Sequence, residues 1–301
     1  MKVIFIGLPY FSQRLARKLS AIDPANKYIS LDTNSSKKDQ LKYLSHLPTT
    51  DLVFSIGGST VEGGAFKMAR KFKKKLLIYW AGSDVLKAQK EQANNQSNEE
   101  FINYCSHYCC ADWFENELQE LSIDSQTLYI ASASPRTNFN WPKGFSVLTY
   151  IGKDKPEFYG LNKVLATAEL LPAIPFYLVG IDQLPSDTPQ NVKAIGYVEN
   201  FEDEIEKHPV FLRIPEHDGL GFSVIEALGL ARHVIRSDRF PHTLFANSTE
   251  LIAQQLIPLY QQFNEGNLKP NMEGRDFVIR NFEEGKIYQE ILKTIQLEVK
   301  G

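Results

Sequence analysis

Phe211-Leu-Arg-Ile-Pro215-Glu-His-Asp218-Gly-Leu-Gly221-Phe-Ser-Val-Ile-Glu226-Ala-Leu-Gly-Leu-Ala-Arg-His-Val-Ile-Arg-Ser-Asp238 reads as a strand, a glycine loop, a helix and a second strand. Val210–Ile214 and His233–Ser237 are short, apolar and rich in β-branched residues, while Gly221–Leu230 carries a helical pattern. Gly219 and Gly221 let the backbone approach a ligand closely. The helix behind them offers amide donors and a partial positive charge to an anion. Asp218 sits on the loop, and Glu226 lies in the second turn, within reach of a hydroxylated ligand along the helix start. The plain alternative is an ordinary βα turn with an N-cap Asp and a solvated Glu.

Working outward, the first half contains the same alternation. Lys2–Gly7, Tyr28–Asp32, Asp51–Gly58, Leu76–Tyr79 and Thr127–Ala131 read as strands, and Phe11–Ser20, Gly64–Lys75 and Phe114–Leu121 as helices. Val-Ile-Phe-Ile, Leu-Val-Phe-Ser-Ile and Leu-Leu-Ile-Tyr are continuous apolar runs, as in parallel strands buried on both faces. Lys90–Glu100 reads as a loop. A second cycle places strands at Phe145–Ile151, Phe176–Gly180 and Val192–Val198, a helix at Tyr159–Leu171, and two long helical stretches at the end. Between the cycles, Ala133-Ser-Pro135-Arg-Thr-Asn-Phe-Asn-Trp-Pro142-Lys-Gly144 has the composition of a linker and hinge. The expected fold is α/β: two Rossmann-like doubly wound domains, residues 1–143 and 144–301, facing across a cleft.

Composition bounds the function classes. With 301 residues, 43% hydrophobic and 23% charged, the chain is long and apolar enough to fold without disulfides or metal. A net charge of −3 argues against a nucleic-acid-binding protein. That total is a cancellation, with 18 basic and 14 acidic residues before position 144 and 15 and 22 after it. No apolar run approaches the roughly 20 residues that span a bilayer, and Met1–Gly7 is too short for a signal peptide. Three cysteines in Cys105-Ser-His-Tyr-Cys109-Cys110 form no disulfide framework, and their spacing with His107 matches no standard zinc site. Buried thiols in a cytoplasmic protein are the expectation.

The Asp218-to-Asp238 stretch resembles the donor site of GT-B glycosyltransferases, especially glycosyltransferase family 4, of the short bacterial type. Asp218, seven intervening residues and Glu226 match that family's acidic-x7-Glu motif, followed by Ala227-Leu228 and Val234-Ile235-x-Ser237-Asp238. The resemblance implies that Asp218 contacts the donor sugar and Glu226 the nucleotide ribose, with amides at Gly221 and Phe222 beside Gly219 holding the sugar or diphosphate. A second landmark is Gly152-Lys153-Asp-Lys155-Pro-Glu-Phe-Tyr159-Gly160, where relatives place an Arg and then a Lys against the departing diphosphate. Lys153 or Lys155 takes the Arg role here, whereas Tyr159 occupies the Lys slot. Two exposed loop lysines are the alternative. The first acid is Asp rather than the usual Glu, and Ala231 stands where Gly is common.

The implied activity is transfer of a hexose-like sugar from a UDP- or GDP-linked donor, with retention of configuration and no metal or other cofactor. The acceptor is a glycan, a lipid-linked molecule or a protein, as in cell-envelope polysaccharide or glycan biosynthesis. In the first half, Gly7-Leu-Pro-Tyr-Phe, Ile56-Gly-Gly-Ser-Thr60 and Trp80-Ala-Gly-Ser-Asp84 follow strands, at the ends where α/β sheets bind ligands. Asp84 is a candidate for orienting the acceptor hydroxyl, or else caps a helix starting near Val85. Asp32 ends a strand where a ribose-binding acid sits in dinucleotide folds, but no G-x-G-x-x-G follows Gly7. Lys67–Lys75 places six cations around Phe66, Ala69 and Phe72, either a solvated outer helix or a peripheral contact with an anionic membrane surface. Two rivals remain: a degenerate GT-B subunit that binds without transferring, and a Rossmann-type oxidoreductase or epimerase.

Overall fold

The computed structural model describes residues 1–134, 136 and 138–301, so Pro135 and Thr137 of the expected linker lie outside the described residues. Met1–Ile130 together with Gly285–Gly301 form one compact unit, and Ala131–Glu284 form the other. Each is built on a parallel sheet with helices.

The first unit contains β1 (Lys2–Gly7), α1 (Pro9–Ile22), β2 (Lys27–Ser30), α2 (Lys37–His46), β3 (Leu52–Ile56), α3 (Gly64–Lys71) and β4 (Lys75–Trp80). It continues through α4 (Ser83–Ala93), α5 (Glu99–Tyr104), β5 (Ser106–Cys109), α6 (Trp113–Glu120) and β6 (Gln126–Thr127). Among the described residues its six strands run parallel in the order β2-β1-β3-β4-β5-β6. The continuous apolar runs lie where two-sided burial requires: Val3, Ile4, Phe5, Val53, Phe54, Leu77, Ile78 and Trp80 are fully buried. Phe5 and Phe54 pack ring to ring at 5.2 Å, and burying each such side chain is worth about 1.5–3 kcal/mol.

The second unit contains β7 (Val147–Tyr150), α7 (Leu161–Leu170), β8 (Phe176–Val179), β9 (Val192–Gly196), α8 (Phe201–Ile205) and β10 (Val210–Arg213). It ends with α9 (Phe222–Gly229), β11 (His233–Arg236), β12 (Leu244–Phe245), α10 (Thr249–Asn264) and α11 (Met272–Asn281). Its strands are again parallel, in the order β12-β11-β10-β7-β8-β9. Val147, Phe176, Leu178, Val210 and Leu212 fill its centre.

Several expectations differ from what is observed. Three terminal helices form rather than two, and the last, α12 (Glu284–Lys300), belongs from Gly285 onward to the first unit. Ile287, Tyr288, Ile291, Leu292 and Ile295 are its buried stripe, and Glu298 accepts from Ser106 Oγ at 2.6 Å and Tyr108 Oη at 2.8 Å. By packing, the units divide at 130/131 and 284/285. The helix expected over Gly64–Lys75 stops at Lys71, because Lys73 adopts φ 52° and Lys75 opens β4. The cysteine cluster contains a strand, β5, and Lys90–Glu100 is helical apart from residues 94–98.

Candidate functional site

In the second sheet β7 and β10 lie side by side, and the chain winds away from them in opposite directions, to β8-β9 on one flank and β11-β12 on the other. Loops that diverge at such a switch point open a crevice at the carboxyl ends of the strands, where α/β sheets bind ligands. The two loops there are residues 151–160, after β7, and 214–221, after β10. They are tied together: Glu216 N donates to Phe158 O at 2.9 Å. Gly160 sits at φ +88°, and a Cβ there would lie 2.6 Å from Ile214 O, so the close approach of the loops requires glycine. Ser237 Oγ, just after β11, donates to Pro215 O at 3.2 Å and fixes the third side.

Arg213, the last residue of β10, fills the space between these loops. Its Nε donates to Asp218 Oδ2 at 2.7 Å and its Nη2 to Oδ1 at 2.9 Å. The guanidinium lies 5.9 Å from the Tyr150 ring and 5.5 Å from the Tyr159 ring, and Nη2 is 4.0 Å from where a Cβ on Gly221 would stand. Burial works against the charge of Arg213, but Asp218 more than offsets it and the guanidinium is raised above its ordinary value. Its parallel-strand partner in β11 is Arg236, fully buried, with Nη2 reaching Gly219 O at 3.4 Å and Asp238 Oδ2 at 3.4 Å. Burial lowers the Arg236 guanidinium and raises the Asp238 carboxyl, the latter against the pull of Arg236.

The structure brings most of the sequence-marked donor residues to this crevice. Gly221 caps α9 with no side chain across the helix end, Phe222 opens the helix, and Glu226 follows one turn later with no acidic residue in the first turn. Gly219 is buried in the loop, and Asp218 is spoken for by Arg213. A Cβ on Gly152 would fall 2.5 Å from the Tyr159 ring, so that half-buried ring packs closely against Gly152. Lys153 and Lys155 are exposed on the same loop. Arg213 and Arg236 went unmarked in the sequence. Their only signal was an arginine closing each of two short strands with apolar centres.

Asp84 lies in the first unit, in the first turn of α4, whose N-cap is Gly82 with no side-chain cap. Its carboxylate accepts backbone N–H donors from Gly58 at 2.6 Å, Gly82 at 2.7 Å, Ala81 at 3.0 Å and Val85 at 3.2 Å. Burial raises its pKa, and the amides of Gly58, Ala81 and Gly82 and its own offset that only in part. Asp84 thereby joins the loops after β3 and β4 instead of presenting a free oxygen.

The arrangement has a known architecture. The fold is shared with solved glycosyltransferases. The chain superposes on a glycosyltransferase from Rickettsia africae ESF-5 with a TM-score of 0.73 at 12% identity, covering 100% of this chain and 99% of that one. Anabaena HepE in complex with UDP and glucose gives 0.72 at 12% identity, covering 98% and 99%. A sucrose-phosphate synthase from Thermosynechococcus elongatus gives 0.72 at 13% identity, covering 99% of each. The chain matches no protein-family model and no curated protein sequence. The expected pair of Rossmann-like domains of the GT-B type is thus the observed fold.

The first unit has a crevice of its own. A cavity of about 650 Å³ opens at the β1/β3 switch point, lined by Gly7, Asp32, Thr33, Tyr43, Gly57 and Lys87 among others. Asp32 Oδ1 accepts from the amides of Asn34 and Ser35, holding the loop after β2. In the cysteine cluster, Cys109 and Cys110 are buried, and both ring nitrogens of His107 are engaged, by Trp80 Nε1 at 3.2 Å and Ile102 O at 3.0 Å. The basic stretch is smaller than its sequence implies. Arg70 pairs with Glu62 and Glu100, Lys74 donates to Pro48 O, and Lys75 donates to Glu298 O. Lys67, Lys71 and Lys73 remain exposed. Among the described residues no helix is long and apolar enough to cross a membrane.

Proposed function

We propose that this chain is a glycosyltransferase that takes a sugar from a nucleotide-sugar donor held in its second unit. One observation carries the reading: the Asp218-to-Glu226 loop and helix and the Gly152-to-Gly160 loop converge at the β7/β10 switch point, around two arginines. A diphosphate at the start of α9 meets a helix N-terminus and cationic side chains, as leaving-group stabilisation without a metal demands. Glu226 is then placed for the ribose hydroxyls and Asp218 for the sugar. HepE, solved with UDP and glucose, and the pneumococcal O-GlcNAc transferase GtfA, solved with UDP and GlcNAc, share the fold, which favours a UDP-linked hexose over other donors.

Transfer follows the retaining course. The bond from the sugar C1 to the diphosphate oxygen breaks with its electron pair on the diphosphate. The acceptor oxygen bonds to C1 on the same face, and its proton passes to the departing phosphate oxygen. The acceptor is a glycan or glycan-bearing molecule.

Thermal-shift screening against UDP-, GDP- and ADP-sugars and NAD(P) tests the reading. Stabilisation by one nucleoside diphosphate sugar, lost in Glu226→Ala, is expected, followed by release of the diphosphate when an acceptor is supplied. Stabilisation by NAD(P) alone overturns it. Tyr159 favours one second reading, a subunit that binds donor without transferring it; donor binding with no turnover across an acceptor screen would establish that instead.

A further inference from the structure

We propose that Arg213 supplies the positive charge that grips and neutralises the donor diphosphate, beside the position in the β7 loop that Tyr159 occupies. The inference rests on the nucleotide-sugar reading above. Three observations converge on this side chain. It is the strand-end residue of β10 at the switch point, so its guanidinium projects between the two loops that form the crevice. It stands beside the Tyr159 ring on one side and beside the cap of α9 at Gly221 on the other. It is held rigid and charged by a two-pronged pair with Asp218, whose carboxylate offers two adjacent acceptor oxygens, as two oxygens of a tetrahedral phosphate also do.

The pair therefore works as a placeholder. When a diphosphate arrives at α9, its oxygens offer Arg213 the same fork geometry with more negative charge. The guanidinium turns toward the diphosphate and relaxes its hold on Asp218, and the Asp218 carboxylate becomes available to the sugar hydroxyls. As the C1–O bond breaks, the electron pair arriving on the diphosphate is met by a preformed charge in a partly desolvated site, where such charges act most strongly. Lys153 and Lys155 are exposed on the loop, where water screens their charge more than that of Arg213. Arg236 is turned instead toward Gly219 O and Asp238, fixing the loop from beneath.

Calorimetric titration of UDP, UMP, GDP and GMP into the intact protein and its variants tests this. Wild type is expected to prefer the diphosphate of one base over its monophosphate. Arg213→Gln is expected to shrink that preference by at least about tenfold while monophosphate affinity stays within about threefold. Tyr159→Lys added to Arg213→Gln, which puts a cation at that position, is expected to restore most of the preference. An undiminished preference in folded Arg213→Gln overturns the proposal while leaving the glycosyltransferase reading intact. Failure of wild type to bind any of the four nucleotides, or ADP and AMP titrated likewise, overturns that reading and this one with it. Should circular dichroism show Arg213→Gln unfolded, Arg213→Lys replaces it: the charge stays, the fork is lost, and the diphosphate preference is expected to fall severalfold. An unchanged preference in that variant also overturns the proposal.

Discussion

Arg213 closes on Asp218 with both prongs of its fork, Nε to Oδ2 at 2.7 Å and Nη2 to Oδ1 at 2.9 Å. Their side chains retain 13% and 12% exposure, so the pair lies between a surface ion pair and a buried one. Asp218→Asn keeps the shape and removes the charge, leaving the guanidinium undercompensated. That substitution is expected to cost about 2–3 kcal/mol in urea unfolding. Arg213→Gln combined with Asp218→Asn removes both charges and is expected to cost less than the sum of the single changes. Simple additivity would show that the two side chains do not depend on each other.

Gly160 makes a separate prediction, because its role is backbone conformation. At φ +88°, with Ile214 O in the way of any Cβ, Gly160→Ala strains the turn and pushes the β7 and β10 loops apart. A loss of about 1–3 kcal/mol in stability is expected. Nucleotide affinity should fall beyond what partial unfolding explains, since the Glu216–Phe158 tie is broken in the folded state as well. Unaltered stability would mean that the loops tolerate separation.

The parallel sheets were readable because Val3–Ile6, Leu52–Ile56 and Leu76–Tyr79 are buried on both faces, and short apolar runs alternating with helical patterns are the mark of such strands. The donor loop was readable because two glycines and spaced acids are unusual at a strand end. Ser106-His-Tyr-Cys109 was not, since a strand near the edge of the sheet mixes polar and apolar residues and carries no period. Arg213 and Arg236 were hidden for a related reason: an arginine closing an apolar run looks like the polar end of a strand. Only the side-by-side register of β10 and β11 sets the two together. Asp84 could be read either as cap or as acceptor ligand, and nothing in the sequence marks the four amides that its carboxylate accepts from. The destination of α12 was illegible because an amphipathic stripe states that a helix packs, never against which sheet.

That last point can be tested directly. The boundary suggested by composition yields a fragment of residues 1–143, which lacks α12. It would expose the surface that Ile287, Ile291 and Ile295 cover, and leave Lys75 Nζ without Glu298 O. Burying three such side chains is worth several kcal/mol, comparable with the whole stability of a domain. The fragment is expected to lack cooperative thermal unfolding and to be digested rapidly by protease. Cooperative unfolding at the temperature of the intact protein would show that α12 is dispensable.

The cysteine cluster makes the final prediction, and the sign follows from burial. Burial pushes the Cys105 thiol up to about 12 from an ordinary 9.0, against a smaller opposite pull from Arg70, because a thiolate there would be poorly solvated. At pH 8 an ordinary thiol is about one-tenth ionised, whereas one at about 12 is ionised to about one part in ten thousand. Native Cys105 is therefore expected to react with a thiolate-selective reagent about a thousandfold more slowly than in the denatured chain, with rates rising tenfold per pH unit up to about 12. Mass spectrometry of the labelled peptide separates Cys105 from Cys109 and Cys110. Rapid labelling of native Cys105 at pH 8 would mean that the strand edge opens readily, or that the thiol is held as an anion after all.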